Sequence, residues 1–131
     1  MGAVPLKILL VEDDEDNREL LAELLRMEGH AVEPVGSAEA ALGAEAAGGF
    51  DAVVADLGLP GMDGLALARE LRRRDPRLAV VVVSGWGDCA ELAAARGGEV
   101  DAVVTKPADP ARLTAALWGA VCSRRAASGT P

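Results

Sequence analysis

Five acidic residues in a row, Glu12, Asp13, Asp14, Glu15 and Asp16, follow directly on the apolar run Ile8-Leu9-Leu10-Val11. Three more chemically capable groups stand in the same situation, at the end of a short apolar run. They are Asp56 in "AVVADLGLPGMDG", Ser84 in "VVVVSGWGD", and Lys106, followed by Pro107, in "AVVTKPADP". Carboxylates brought together repel and raise one another's pKa. A divalent cation relieves that repulsion, and hard oxygen donors with room for water suit Mg2+, or Mn2+ in its place. Such a cation recruits phosphate oxygens. Lys106 supplies a point charge for a carboxylate or a phosphoryl oxygen, and Ser84 a hydroxyl donor. Gly85 beside it leaves backbone N–H groups approachable. A carboxylate in that company can attack phosphorus and become an acyl phosphate, whose new charge the neighbours neutralise.

Each residue taken singly has a plainer role. Asp56 alone reads better as a cap on the loop after its strand, and Lys106 alone as a solvated strand end. Ser84 alone is as readily an ordinary turn residue. Leu59 and Met62 read as loop packing. The joint occurrence of an acid cluster, a single acid, a hydroxyl and a lysine at four run ends shifts the weight to chemistry.

The elements that must position these groups follow from the apolar pattern. Runs at 6–11, 31–35, 52–55, 79–83 and 102–104 are short, Val-rich and continuous. Strands buried on both faces read that way. Pro34 removes a ladder donor, so the second run belongs at a sheet edge. Helices are expected over 15–28, with Leu20, Leu21, Leu24 and Leu25 as the inward stripe and Gly29 as the stop. Ser37 caps a second over 38–47, closed by Gly48-Gly49. A third covers 64–74, stopped by Asp75-Pro76, and a fourth 88–96. Asp109-Pro110 caps a fifth, from 111 to about 122. Strands alternating with helices imply an α/β fold with a parallel sheet covered on both faces. In such a doubly wound, three-layer fold the working crevice lies beyond the carboxyl ends of the strands.

Bulk properties narrow the class. A chain of 131 residues forms one domain with a real core. The expected domain is 1–122, followed by a flexible tail over 123–131. Net charge of −8 argues against direct nucleic-acid binding. Arg72-Arg73-Arg74 reads instead as the solvated end of a helix, favoured by the dipole. No apolar run approaches the roughly 18–20 residues of a membrane span. The first residues lack the layout of a signal peptide, and Leu6 stands where a myristoylation motif has Ser or Thr. A cytoplasmic protein without membrane contact is expected. Cys89 and Cys122 form no metal or redox motif. The expected helix layout puts them at opposite ends of two helices, and two free thiols are expected. His30, without a His or Cys companion, reads as a surface residue.

"ILLVEDD", "DLGLPGMDG", "VVVVSG" and "VVTKP" together, in order and spacing, resemble the receiver domain of two-component response regulators. The resemblance covers residues 6–121. It implies a flavodoxin-like sheet in the order 2-1-3-4-5 and a phosphoryl group accepted from a phosphohistidine. By this resemblance Asp56 is the phosphoacceptor. Asp13 binds Mg2+ directly, Glu12 largely through water, and Asp56 and the Gly58 backbone carbonyl complete the protein ligands. Ser84 is the switch hydroxyl, Lys106 contacts the phosphoryl group, and Lys106–Pro107 is a cis peptide. The implied partners are a histidine kinase or histidine phosphotransfer domain and a downstream protein of unspecified kind. The implied state is a monomer or weak dimer. The domain is then no enzyme in the ordinary sense: it supports its own phosphotransfer and slow autodephosphorylation. Asp14, Glu15 and Asp16 keep a plainer task at a helix start, where the dipole favours acids.

The sequence departs from the family pattern in places. Val103 stands where the family has an aromatic ring that turns inward on phosphorylation. Ala108 replaces a large apolar residue. Trp86, two residues past Ser84 and flanked by Gly85 and Gly87, is bulky for its place, and is expected to be a mobile, modulating element. "SGWGD" also resembles receivers attached to hybrid histidine kinases. Two other readings are a receiver piece of such a kinase and a non-phosphorylated pseudo-receiver, against which the intact Asp13, Asp56, Ser84 and Lys106 count. A nucleotide-binding fold lacks its glycine motif after strand one. A dehalogenase-type phosphatase needs an acid where Gly58 stands.

Overall fold

The computed structural model describes residues 5–56, 64–84, 100–105 and 109–128. Gly58, Trp86, Cys89, Lys106, Pro107, Ala108 and the helix expected over 88–96 lie outside the described residues. Five strands, β1 (Lys7–Val11), β2 (Ala31–Val35), β3 (Ala52–Asp56), β4 (Ala79–Ser84) and β5 (Ala102–Thr105), form one parallel sheet in the order β2-β1-β3-β4-β5. The described helices are α1 (Glu15–Met27), α2 (Ala38–Ala47), α3 (Gly64–Arg74) and α4 (Pro110–Ser128).

The continuous apolar runs are central strands. Every residue of β3 and β4 is buried, as is β1 after Lys7. β2, with Pro34, lies at the edge, where a missing ladder donor does least harm. Alternate residues feed two cores, one per face. On one face Leu9, Val53, Ala55, Val80 and Val82 pack with Ala38, Ala41, Leu67 and Leu71 of α2 and α3. On the other, Ile8, Leu10, Val54, Val81 and Val83 pack with Ala22, Leu25, Leu113 and Leu117 of α1 and α4. This is the doubly wound, three-layer arrangement.

The helix ends obey local chemistry. Asp14 caps α1 by accepting from Asn17 N–H at 2.9 Å, and Ser37 caps α2 by accepting from Ala40 N–H at 3.1 Å. The Asp109 carboxylate accepts from Ala111 N–H at 2.8 Å. Gly29, at φ +101°, and Gly48 and Gly49, at +85° and +92°, take the left-handed states that end α1 and α2.

Several expectations change. Leu20 is 58% exposed; the inward face of α1 is Leu21, Ala22 and Leu25, with Leu24 half-buried. The small Ala22 is what the sheet receives in place of Leu20. His30 is buried, at 5% exposure, because its Nδ1 accepts from Leu6 N–H at 3.2 Å beneath α4. Arg72 is not a solvated charge. It reaches back to Asp101, ahead of β5, at 2.7 Å, with both side chains largely covered. The last helix does not end near Cys122 but continues to Ser128, so the tail expected from residue 123 begins as helix. Arg124 holds that extension, lying 3.0 Å from Asp101 and donating to the Pro76 carbonyl at 3.3 Å. Cys122 is an exposed free thiol.

Candidate phosphoacceptor site at the carboxyl edge of the sheet

The site is assembled by strand register. Val11 of β1 pairs with Ala55 of β3, so Glu12 and Asp56, one residue further on each strand, leave the sheet side by side. Neighbouring strands stand about 4.8 Å apart. On the far side of β3, Asp56 pairs with Val83, which places Ser84 one residue beyond it on β4. Ser84 pairs in turn with Thr105, the last residue of β5. Lys106 follows Thr105 in sequence and lies outside the described residues. Four strands thus deliver their ends to one edge, and the register brings Glu12, Asp56 and Ser84 to neighbouring strand ends.

Burial gives these groups their character. Asp56 is 8% exposed, Glu12 7% and Ser84 0%. Carboxylates at that depth require charged or hydrogen-bonding partners. One oxygen of Glu12 accepts from Asp14 N–H at 3.0 Å, and Glu12 N–H donates to the Val35 carbonyl at 3.1 Å. The loop between β1 and α1 is therefore tied to both its own helix and the next strand. Asp13, between them, is exposed. Ser84 Oγ is buried and has no hydrogen-bond partner among the described residues. A buried hydroxyl left that way costs about 1–3 kcal/mol. Val103 lies on β5, the opposite edge strand, with its side chain exposed.

The oxygen donors suit a hard divalent cation. Among the described residues no three His, Cys, Asp or Glu side chains form a metal cage. Magnesium does not call for one: it is ordinarily held by one or two carboxylates, with water and phosphate oxygens supplying the rest. Glu12, Asp13 and Asp56 are sufficient in kind and number.

One participant escaped the sequence reading. Arg18, one turn into α1, sends its guanidinium back over the loop and donates to the Glu12 carbonyl at 3.0 Å, with a longer contact of 3.5 Å to the Asp13 carbonyl. The available signal was an arginine close behind a helix start otherwise filled with acids, where the dipole opposes it.

A parallel sheet in the order β2-β1-β3-β4-β5 with helices on both faces defines the flavodoxin-like class, in which ligands bind beyond the carboxyl ends of the strands. The chain belongs to the response regulator receiver domain family, whose model matches residues 8–118. It is 44% identical over 81 residues to the response regulator protein FleR of Pseudomonas aeruginosa, a match covering 62% of this chain and 17% of FleR. It is 37% identical over 112 residues to the transcriptional regulatory protein TcrA of Mycobacterium tuberculosis, covering 86% of this chain and 44% of TcrA. The chain thus spans less than half the length of these relatives. Among solved structures, a sensor protein from Polaromonas sp. JS666 superposes with a TM-score of 0.83 at 36% identity, covering 93% of this chain and 99% of that one. None of the described helices is long and apolar enough to cross a membrane.

Proposed function

We propose that this domain takes a phosphoryl group from a phosphohistidine onto Asp56 in a magnesium-dependent reaction and thereby changes its interaction surface. The observation that carries the proposal is the register that sets buried Asp56 between Glu12 and Ser84, with Ser84 Oγ buried and unsatisfied among the described residues. A phosphoryl oxygen on Asp56 is the acceptor that this hydroxyl lacks.

In the proposed step an Asp56 carboxylate oxygen attacks phosphorus. An O–P bond forms as the donor's N–P bond breaks, and the electron pair leaves on the imidazole nitrogen. Magnesium, when bound, supplies charge neutralisation for the phosphoryl oxygens. Asp13 and Glu12 hold it, with Asp56 and the Gly58 carbonyl as the remaining protein ligands. Lys106 contacts a phosphoryl oxygen through its ammonium group, and Ser84 donates its hydroxyl to another. With a valine at 103, Trp86 in its glycine-flanked loop takes over the reporting of the switch. The partners are a histidine kinase or phosphotransfer domain, in the cytoplasm, and a downstream protein.

The 35% identity over 127 residues to the sensory/regulatory protein RpfC of Xanthomonas campestris supports one second reading, in which the domain is the receiver piece of a hybrid kinase. The chemistry at Asp56 is the same in both. The test is intact mass after incubation with acetyl phosphate and MgCl2. One phosphate is expected on the wild type and none on Asp56→Asn or in EDTA. Phosphate retained by Asp56→Asn removes the assignment.

A further inference from the structure

The loop that carries Glu12, Asp13 and Asp14 is three residues long, between the end of β1 and the start of α1. Such a loop fixes its side chains only if its peptide planes are fixed. The Glu12 and Asp13 carbonyls belong to the two peptide planes on either side of the Asp13 Cα. Both face one guanidinium, that of Arg18, at 3.0 and 3.5 Å. Pinning both planes sets φ and ψ of Asp13, and with them the direction of its Cα–Cβ bond.

The guanidinium has room for this because of residue 36. Gly36, between β2 and α2, has no side chain, and a Cβ placed there would meet Arg18 Nη1 at 2.8 Å. The Glu12 carbonyl lies further from that point, at 4.0 Å. Glycine at 36 is not required by its own backbone, since Gly36 is not among the positive-φ glycines. What it provides is the space that Arg18 occupies. Arg18 is also poorly placed for its own helix, near the positive end of the α1 dipole. The two carbonyls offset that, since hydrogen bonds from a charged donor are the stronger kind.

We infer that Arg18, seated against Gly36, is a positioning residue for the cation site: it pre-sets the Asp13 backbone so that the carboxylate is aimed before metal arrives. The inference rests on the proposed magnesium site. Two effects of Arg18 oppose each other. Its Nη1, shared between the two carbonyls, orders the loop and favours cation binding, while its positive charge disfavours a second cation nearby. Ordering is inferred to be the larger effect, and the sign of the change in Arg18→Ala tests it.

The test is calorimetric titration of MgCl2 into the wild type, Arg18→Ala, Arg18→Lys, Gly36→Ala, the Arg18→Ala/Gly36→Ala double variant and Asp13→Asn. Gly36→Ala displaces only the far end of a flexible side chain, so it folds and keeps the charge. Each of Arg18→Ala, Arg18→Lys and Gly36→Ala is expected to weaken magnesium binding roughly three- to ten-fold, the size of one net intramolecular hydrogen bond. The double variant should be no weaker than Arg18→Ala, since both substitutions remove the same clamp. Faster amide exchange at Asp13 and Asp14 without metal, at unchanged global stability, is the accompanying signature of positioning. Unchanged binding in both Arg18→Ala and Gly36→Ala overturns the inference, as does tighter binding in Arg18→Ala, which would make repulsion the larger effect. If the wild type binds magnesium and Asp13→Asn does not, such a result leaves the site standing and removes only the clamp. If the wild type binds none, both fall.

Discussion

At the scale of single residues, Ser84 stands apart within the site. Its hydroxyl sits at 0% exposure with no hydrogen-bond partner among the described residues. Replacing a buried, unsatisfied hydroxyl by a methyl group of similar shape is neutral to stabilising, by up to about 1 kcal/mol. Ser84→Ala is therefore expected to unfold at equal or higher urea concentration than the wild type in metal-free buffer. With magnesium and beryllofluoride, a phosphoryl mimic, the order should reverse, because only the wild type gains the new hydrogen bond. A variant destabilised by more than about 1 kcal/mol in metal-free buffer would show that the hydroxyl already has a partner.

At the scale of elements, two buried polar joints hold the strands and helices in place. Asp101, just ahead of β5, accepts from Val80 N–H at 2.8 Å and meets Arg72 of α3 and Arg124 of α4 on its two oxygens. Helices from both faces of the sheet thus converge on one carboxylate. Its removal leaves two largely covered guanidinium groups without their shared acceptor. Asp101→Ala is expected to cost about 3 kcal/mol, read from the urea midpoint. It should also lower far-UV helicity, since α4 beyond Cys122 loses its anchor. A loss below about 1 kcal/mol would assign the joint to the surface class of ion pair.

The second joint is His30. Its Nδ1 accepts from Leu6 N–H, so in the folded state the proton belongs on Nε2, 3.5 Å from Thr114 Oγ1 of α4. Protonation would set two N–H groups against each other. Burial holds the His30 pKa below its usual value, with the Glu28 carboxylate opposing in part. The unfolded chain then binds the proton more readily than the folded one. Stability is full above the unfolded value near 6.5 and declines as pH falls from there toward the lower folded value. His30→Asn keeps an acceptor near Nδ1 and does not titrate. Urea unfolding between pH 7.5 and 5.5 should show a smaller decline for this variant than for the wild type. Equal declines would place the titration elsewhere.

At the scale of the whole molecule, the net charge of −8 and the acids gathered at one sheet edge make the metal-free state self-repelling. Magnesium should therefore stabilise the domain beyond ordinary ionic screening. At a hundred-fold excess over Kd, linkage alone supplies about 2.7 kcal/mol. A thermal midpoint raised by MgCl2, but not by NaCl of equal ionic strength, is expected, with the difference abolished in Asp13→Asn. An equal response to both salts would reduce the effect to screening. The domain spans less than half of the FleR and TcrA chains it resembles.

What the sequence determined by itself is whatever depends on neighbours in the chain. Val-rich runs marked the five strands, Pro34 the edge, and Ser37 and Asp109 sat where helix caps are made. The placement of Asp56, Ser84 and the acids at strand ends followed from the same runs, and the strand order came from resemblance. Contacts between distant residues were decided only by the fold. Whether Leu20 or Ala22 faced the sheet depended on how α1 rolled against it, which two leucine pairs leave open. His30 was hidden by Thr114, 84 residues away, and Arg72 was claimed by Asp101, 29 residues away. Arg18 gained its task from the absent side chain of Gly36, which follows β2. A missing Cβ has no local signature, and a charge declares its partner only when packing brings the two together.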